Sequence, residues 1–246
     1  MAKGAGIKWT SHEESVSKLL DLLKLGGELK KYDKIVLKPF LSNDAEKSTP
    51  AIFVEAVLRY CLANKNPVAD IFIAEGAEND DTLDLFEEQG YQKLAEKYGL
   101  GLIDLNNTET ESIESPDFLK FSSIQFPSLL NDSFLISLPK LAENEEAVIS
   151  GSLANMLGAF PASQYTGFFS KSKNKIRKWP IKYSIHDIAK CKMPDFAVVD
   201  ASDRGIVLAG LPLEIDKQSA KLLGKEWKDV PYIKLLDQTD VKEEKK

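Results

Sequence analysis

The chain has 246 residues, 43% of them hydrophobic and 28% charged, with 14 glycines and 11 prolines. That mixture describes an ordinary globular protein, long enough for one large domain or two intimate halves around a real core. A formal net charge of -6 argues against a general nucleic-acid or anionic-membrane binder, because phosphate attraction needs a basic face.

Taken in chain order, helical periods alternate with short apolar runs. The spacing predicts a helix over 11–25, a strand over 34–40 (KIVLKPF) and a helix over 50–64, with Thr49 as N-cap and Pro50 at the first helical position. Phe53, Val57, Tyr60 and Cys61 share one apolar stripe of that helix, which marks Cys61 as core. A strand at 69–76 (ADIFIAEG), a helix at 80–98 and a strand at 100–106 follow. Asp80, Asp81 and Asp84 suit the first turn of that helix better than a magnesium site.

Residues 107–132 interrupt the alternation with a polar loop and a small hairpin, dividing an amino-terminal half (about 1–110) from a carboxy-terminal half (about 130–236). The second half predicts a strand at 133–140, helices at 145–158 and 183–190, strands at 195–202 and 205–210, and a helix at 213–223. A frayed tail is expected over 237–246. The basic stretch 171–182 (KSKNKIRKWPIK) reads either as a solvated loop or as a partner-binding loop.

Several strands are continuously apolar, as strands covered on both faces should be. The expected fold is therefore a three-layer α/β protein, a mostly parallel sheet with helices on both faces. No apolar run reaches the roughly 18 residues of a membrane span, and the first residues, MAKGAGIKWTSHEES, lack the apolar core of a signal peptide. A cytoplasmic protein is the expectation. Two distant cysteines, Cys61 and Cys191, and two distant histidines, His12 and His186, supply no metal-ligand spacing. His12 reads as an exposed first-turn residue.

Ligands of open α/β sheets settle beyond the carboxyl ends of the strands. That places Lys38, Glu75, Lys140 and Asp200 at one edge as candidates. The segment AVISGSLANMLGAFP (147–161) adds a turn at Ser150, Gly151 and Ser152 before a predicted helix, whose free N–H groups and dipole suit a phosphate or carboxylate. Asn155, one turn in, either joins that site or bonds locally. His186, beside Asp187, is of the residue type that suits acid–base work, and a structural histidine is the commoner reading.

The segments KIVLKPFLSNDAEKSTP, IAEG, SFLISLPKL, VISGSLANMLGAFP, MPDFAVVDAS and VLAGLPLEIDKQSAKLLG occur in the order and spacing of the domain of unknown function 362 family, which the chain resembles over about 34–236. The resemblance implies a fold similar to the amino-terminal part of lactate racemase-type proteins. Longer members carry a cysteine-rich iron–sulfur segment, which has no counterpart here, so no electron-transfer role is carried over. This chain also departs from the family pattern. Ala142, Asn144 and Ala154 stand where lysine, histidine and lysine are usual, and Phe40 stands where asparagine is usual, with Asn43 nearby.

The expectation is an enzyme or enzyme-derived protein that binds a small anionic metabolite, with no cofactor or metal assigned. Lys38, Asn43, Thr49, Lys140, Ser150, Gly151, Ser152 and Asn155 are the binding candidates, and Glu75, Asp200 and His186 the proton-transfer candidates. The alternative is a non-catalytic binding or regulatory protein that uses loop 171–182 on a macromolecular partner.

Overall fold

The computed structural model describes residues 3–168, 170 and 172–243. Its strands, in chain order, are β1 (Gly4–Lys8), β2 (Lys34–Pro39), β3 (Asp70–Glu75), β4 (Gly101–Asp104), β5 (Thr110–Ile113), β6 (Ile124–Pro127), β7 (Phe134–Leu138), β8 (Ala142–Asn144), β9 (Val148–Ser150), β10 (Phe196–Ala201) and β11 (Ile206–Gly210). Seven of them form one sheet in the order β1-β11-β10-β7-β2-β3-β4. Strands β10, β7, β2, β3 and β4 run parallel, whereas β11 and β1 are antiparallel to their neighbours. The mostly parallel α/β sheet is thus present, and one sheet contains strands from both halves of the chain.

Burial explains the strand sequences. Ile35, Val36 and Leu37 are all fully buried, because Ile35 and Leu37 face the cluster holding Val16, Leu19, Phe53 and Phe86, while Val36 faces a second cluster with Ile149, Met156, Ile185 and Tyr232. Helices His12–Leu22, Ala51–Asn64, Thr82–Glu88 and Tyr91–Tyr98 build the first layer. Helices Lys182–Cys191, Pro212–Leu222 and Pro231–Glu243 belong to the second. Cys61 is buried in the first cluster as expected, and burial pushes its thiol up to about 12.

The departures from expectation have local causes. The helix expected over 80–98 breaks at Gly90, whose φ of 84° no helix accepts, and Asp81 caps its first half by accepting from Leu83 N and Asp84 N. Thr49 does not cap the helix that follows it. Its hydroxyl donates to Leu138 O at 2.6 Å and accepts from Phe40 N at 3.0 Å, so the helix begins at Ala51 with Pro50 as its cap. The frayed tail is instead a helix through Glu243, while residues 244–246 lie outside the described residues. Strand β1, short and glycine-rich, carried no alternation strong enough to announce it.

The largest difference falls on 145–158, which is not a helix. Asn144 Oδ1 accepts from Glu146 N and Ala147 N at 2.9 and 2.8 Å, a side-chain mimic of a turn that reverses the chain into the hairpin β8–β9. Val148 completes that reversal at a φ of 74°, a strained setting for a β-branched residue. Only Ala154–Ala159 winds, and it winds as a 3-10 helix.

Candidate functional site

Parallel strands bring Lys38, Glu75 and Asp200 to one carboxyl edge, with Lys140 just beyond β7 and bridged to Asp200. The edge is divided, however. Lys38 and Glu75 form a buried ion pair through a short hydrogen bond. Lys38 Nζ also donates to Asn155 O at 2.7 Å and Oδ1 at 3.1 Å. The Asn155 amide returns a bond to Lys38 O at 2.9 Å and another to Ser137 Oγ at 3.0 Å. Burial drives both members of the pair toward their neutral forms, lowering the Lys38 pKa and raising that of Glu75, while their mutual attraction opposes it.

Gly158 closes over this pair. A Cβ there would lie 2.5 Å from Glu75 Oε1 and 2.7 Å from Lys38 Nζ, so only glycine lets the 3-10 segment approach. Above the pair is a cavity of about 90 Å³, lined by Glu75 and Gly76 from the exit of β3, Phe40 from the exit of β2, Ser150, Gly151, Asn155 and Gly158 from the central segment, and Lys173 and Arg177 from the basic stretch. At about 15 Å³ or slightly less for each water, that is room for about half a dozen waters or one small metabolite.

Lys173 is the residue that sequence reasoning did not single out. Its side chain is almost fully buried, with Nζ donating to Gly76 O at 2.7 Å and Gly158 O at 3.2 Å. Burial brings its amine down to about 7, against the attraction of Glu75. Three of the acids near it are already matched, while Asp104 accepts from Asn106 N and Asn107 Nδ2. Glu75 takes Lys38, and Glu78 and Glu146 both take the Arg177 guanidinium. Lys173 has no carboxylate at ion-pair distance among the described residues. Nothing local announced this, since its acceptors lie 97 and 15 positions away.

The turn at 150–152 is built differently from the expectation. Ser152 N and Leu153 N donate to the two Asp216 oxygens at 2.6 and 3.0 Å, and Ser152 Oγ and Tyr232 OH donate to the same carboxyl at 2.8 and 2.9 Å. Asp216 thus takes the Ser152 N–H assigned to a ligand, and the segment beyond is too short and too tightly wound to supply a useful helix dipole. Gly151 is required for that contact, because a Cβ would lie 2.6 Å from both Asp216 Oδ1 and Tyr232 OH. Ser150 and Gly151 still line the cavity; Ser152 does not.

The other candidates stand apart from the cavity lining. Lys140 Nζ pairs with Asp203 at 3.0 Å. Asp200 faces His12, whose Nε2 lies 3.5 Å from Oδ1. Burial raises the Asp200 pKa, but bonding to His12 and Ser202 outweighs this and holds it below the usual carboxylate range. His12 is therefore not an exposed first-turn residue: its ring lies edge-on to Trp9 and Phe53 against the sheet. His186 is fully buried with Nδ1 2.8 Å from Asp187 Oδ1, and Asp187 itself accepts from the N–H groups of Leu119, Lys120 and Phe121. That pair anchors a loop. Thr49 ties β2 to β7, and Asn43 is exposed.

The basic stretch is divided, with Lys173 buried, Arg177 half-buried, and Lys175 and Lys178 exposed. Besides Lys173 and Arg177, Lys175 bonds Gln164 O at 2.8 Å, and Trp179 is half-buried, donating to Ser184 Oγ and packing edge-on to Phe121. Lys171 lies outside the described residues. Among the described residues no group of three or more His, Cys, Asp or Glu side chains could hold a metal, and no helix is long and apolar enough to cross a membrane.

Comparison with solved structures finds the lactate racemase apoprotein from Thermoanaerobacterium thermosaccharolyticum, with a TM-score of 0.57 at 16% identity over 87% of this chain. A crystal structure of a Thermotoga maritima protein also matches, at a TM-score of 0.46 and 11% identity over 87% of this chain. The chain spans only 55% and 59% of those two structures, and the likeness to the first, at 16% identity, shows a shared α/β fold and no activity. No curated protein matches. Residues 35–205 match the family described as domain of unknown function (DUF362), and because that match covers most of the chain, the protein belongs to the DUF362 family.

Proposed function

We propose that the protein is an enzyme, or derives from one, and binds a small anionic metabolite in the cavity between the exits of β2 and β3 and the segment 150–158. Lys173 carries this reading. It is a buried amine in the cavity wall whose described acceptors are two neutral carbonyls, while Glu75, Glu78 and Glu146 nearby already hold cations. An anion placed there supplies the missing charge. Glu75, paired with Lys38 behind it, gives the cavity wall a group able to hold or return a proton, with both partners pushed toward neutrality by burial. The role first assigned to Lys140 passes to Lys173, since Lys140 is directed to Asp203.

A thermal-stability screen against small carboxylates and phosphates tests the proposal, because a ligand that binds only the folded state raises its apparent stability. The expected result is stabilisation of the wild type and of Lys140→Ala. Lys173→Met should bind the same compound about 10–100-fold more weakly, the worth of one charge-assisted contact. Affinity should rise as pH falls toward about 7, where Lys173 gains its proton. Equal stabilisation of Lys173→Met and wild type would refute the assignment.

A further inference from the structure

The hydrogen bonding of Lys173 says more than that it is a cation. A protonated lysine has three N–H donors and no acceptor; the neutral amine has two N–H groups and one lone pair. Nζ is given two acceptors, Gly76 O and Gly158 O. Two carbonyls take two of the positions on nitrogen and leave the third, the remaining N–H of the ammonium or the lone pair of the neutral amine, in a direction occupied by neither. The same side chain forms part of the cavity wall, and it enters from a segment separate from both strand exits. A buried amine held in this way is how proteins prepare lysine as a nucleophile toward carbonyl carbon.

We propose that Lys173 captures a small 2-oxo acid in the cavity as an imine, a step that rests on the cavity being the ligand site. The Nζ lone pair attacks the carbonyl carbon, forming the C–N bond while the C=O π pair moves to oxygen, which takes up a proton as nitrogen gives up the first of its two. The carbinolamine then loses its hydroxyl as water, and nitrogen gives up a proton, leaving C=N. The sum is amine plus carbonyl giving imine plus water, with nothing oxidised or reduced. Glu75 lines the same cavity, and burial favours its protonated form, so it suits the proton given to the leaving hydroxyl. Arg177, at the cavity wall, is held by Glu78 and Glu146, so it meets the acid's carboxylate only in exchange for one of them. The charged groups acting on Lys173 are Glu75, Lys38, Glu78 and Asp104, and burial outweighs them.

The test uses the full chain with pyruvate and borohydride, followed by intact mass measurement and peptide mapping. The expected product is one adduct per chain, equal to pyruvic acid less one oxygen atom, on Lys173. Its rate should rise as pH increases through about 7, whereas labelling of surface lysines follows their ordinary pKa near 10.4. Mapping on the wild type keeps the test valid even if Lys173→Met folds poorly. Adducts scattered over surface lysines, or none on Lys173, overturn the imine. Propionate, the carbonyl-free analogue, separates the two proposals: stabilisation by propionate without any Lys173 adduct removes the imine and leaves the cavity reading standing. Absence of both pyruvate trapping and stabilisation by any screened anion removes both.

Discussion

The segment from Ser150 to Gly158 has a buried ionisable group at each end, and the protein treats them in opposite ways. At the Gly151 end, the Asp216 carboxyl receives four hydrogen bonds, from Ser152 N, Ser152 Oγ, Leu153 N and Tyr232 OH. At the Gly158 end, the Lys173 amine receives two neutral carbonyls and no counter-charge. A buried polar group whose bonds are all made holds a structure together. A buried amine left without its ion strains the fold and remains open to a ligand. On the proposed reading, the two ends separate fold from function within nine residues.

The largest effect is expected at the satisfied end. Asp216→Ala leaves Ser152 N, Leu153 N and Tyr232 OH without their acceptor, and should lower stability by about 3–5 kcal/mol in urea unfolding. A loss below about 1 kcal/mol would mean that the Asp216 cluster does not hold the segment.

Next comes the Lys38–Glu75 pair. Lys38→Met alone strands a buried carboxyl and should cost about 3 kcal/mol or more, whereas Lys38→Met with Glu75→Leu should recover most of that loss, since a buried ion pair is weak evidence for stability. A double variant as unstable as the sum of the two singles would show that the pair is not coupled.

Lys173→Met should move stability the other way. A lysine in the unfolded chain keeps its proton up to about pH 10.4, but in the fold only below about 7. Between those values the unfolded state binds more protons, so wild-type stability should rise with pH through that window, and the full penalty is present below about 7. Removing the amine should abolish the slope and add about 1–3 kcal/mol at pH 7, after allowing for two orphaned carbonyls. A destabilised variant with the slope intact would place the titrating group elsewhere.

The smallest effect belongs to Lys140→Ala. Its partner Asp203 is 61% exposed, and exposed pairs contribute about 0–1 kcal/mol. A loss above 2 kcal/mol would give Lys140 a role that its contacts do not show.

The sheet was legible because its cause is local and repeated. Runs such as KIVLKPF and DFAVVDAS are apolar on both faces, and strands buried on both faces need that pattern. Lys38, Glu75 and Asn155 were legible as well, since the carboxyl-edge rule and a lone amide point to one place. The division of that edge was not. Whether Asp200 turns toward His12 and whether Lys140 turns toward Asp203 depend on residues from distant elements. The 150–152 turn misled because serine and glycine before a wound segment look alike whether the anion is a ligand or Asp216, 64 positions away from Ser152. Lys173 was hidden by its neighbours, lysines and an arginine that suggest solvent, while the Gly76 and Gly158 carbonyls that receive it lie in other segments.

The central claim is that the amine at the Gly158 end is the group the protein keeps available, and its ionisation tests this most directly. An NMR titration of lysine side chains, with the Lys173 resonance assigned by its loss in Lys173→Met, should show one lysine titrating near 7, shifted upward when an anion from the screen is added. A Lys173 resonance that titrates near 10.4 with the surface lysines, unmoved by any anion, would contradict the account.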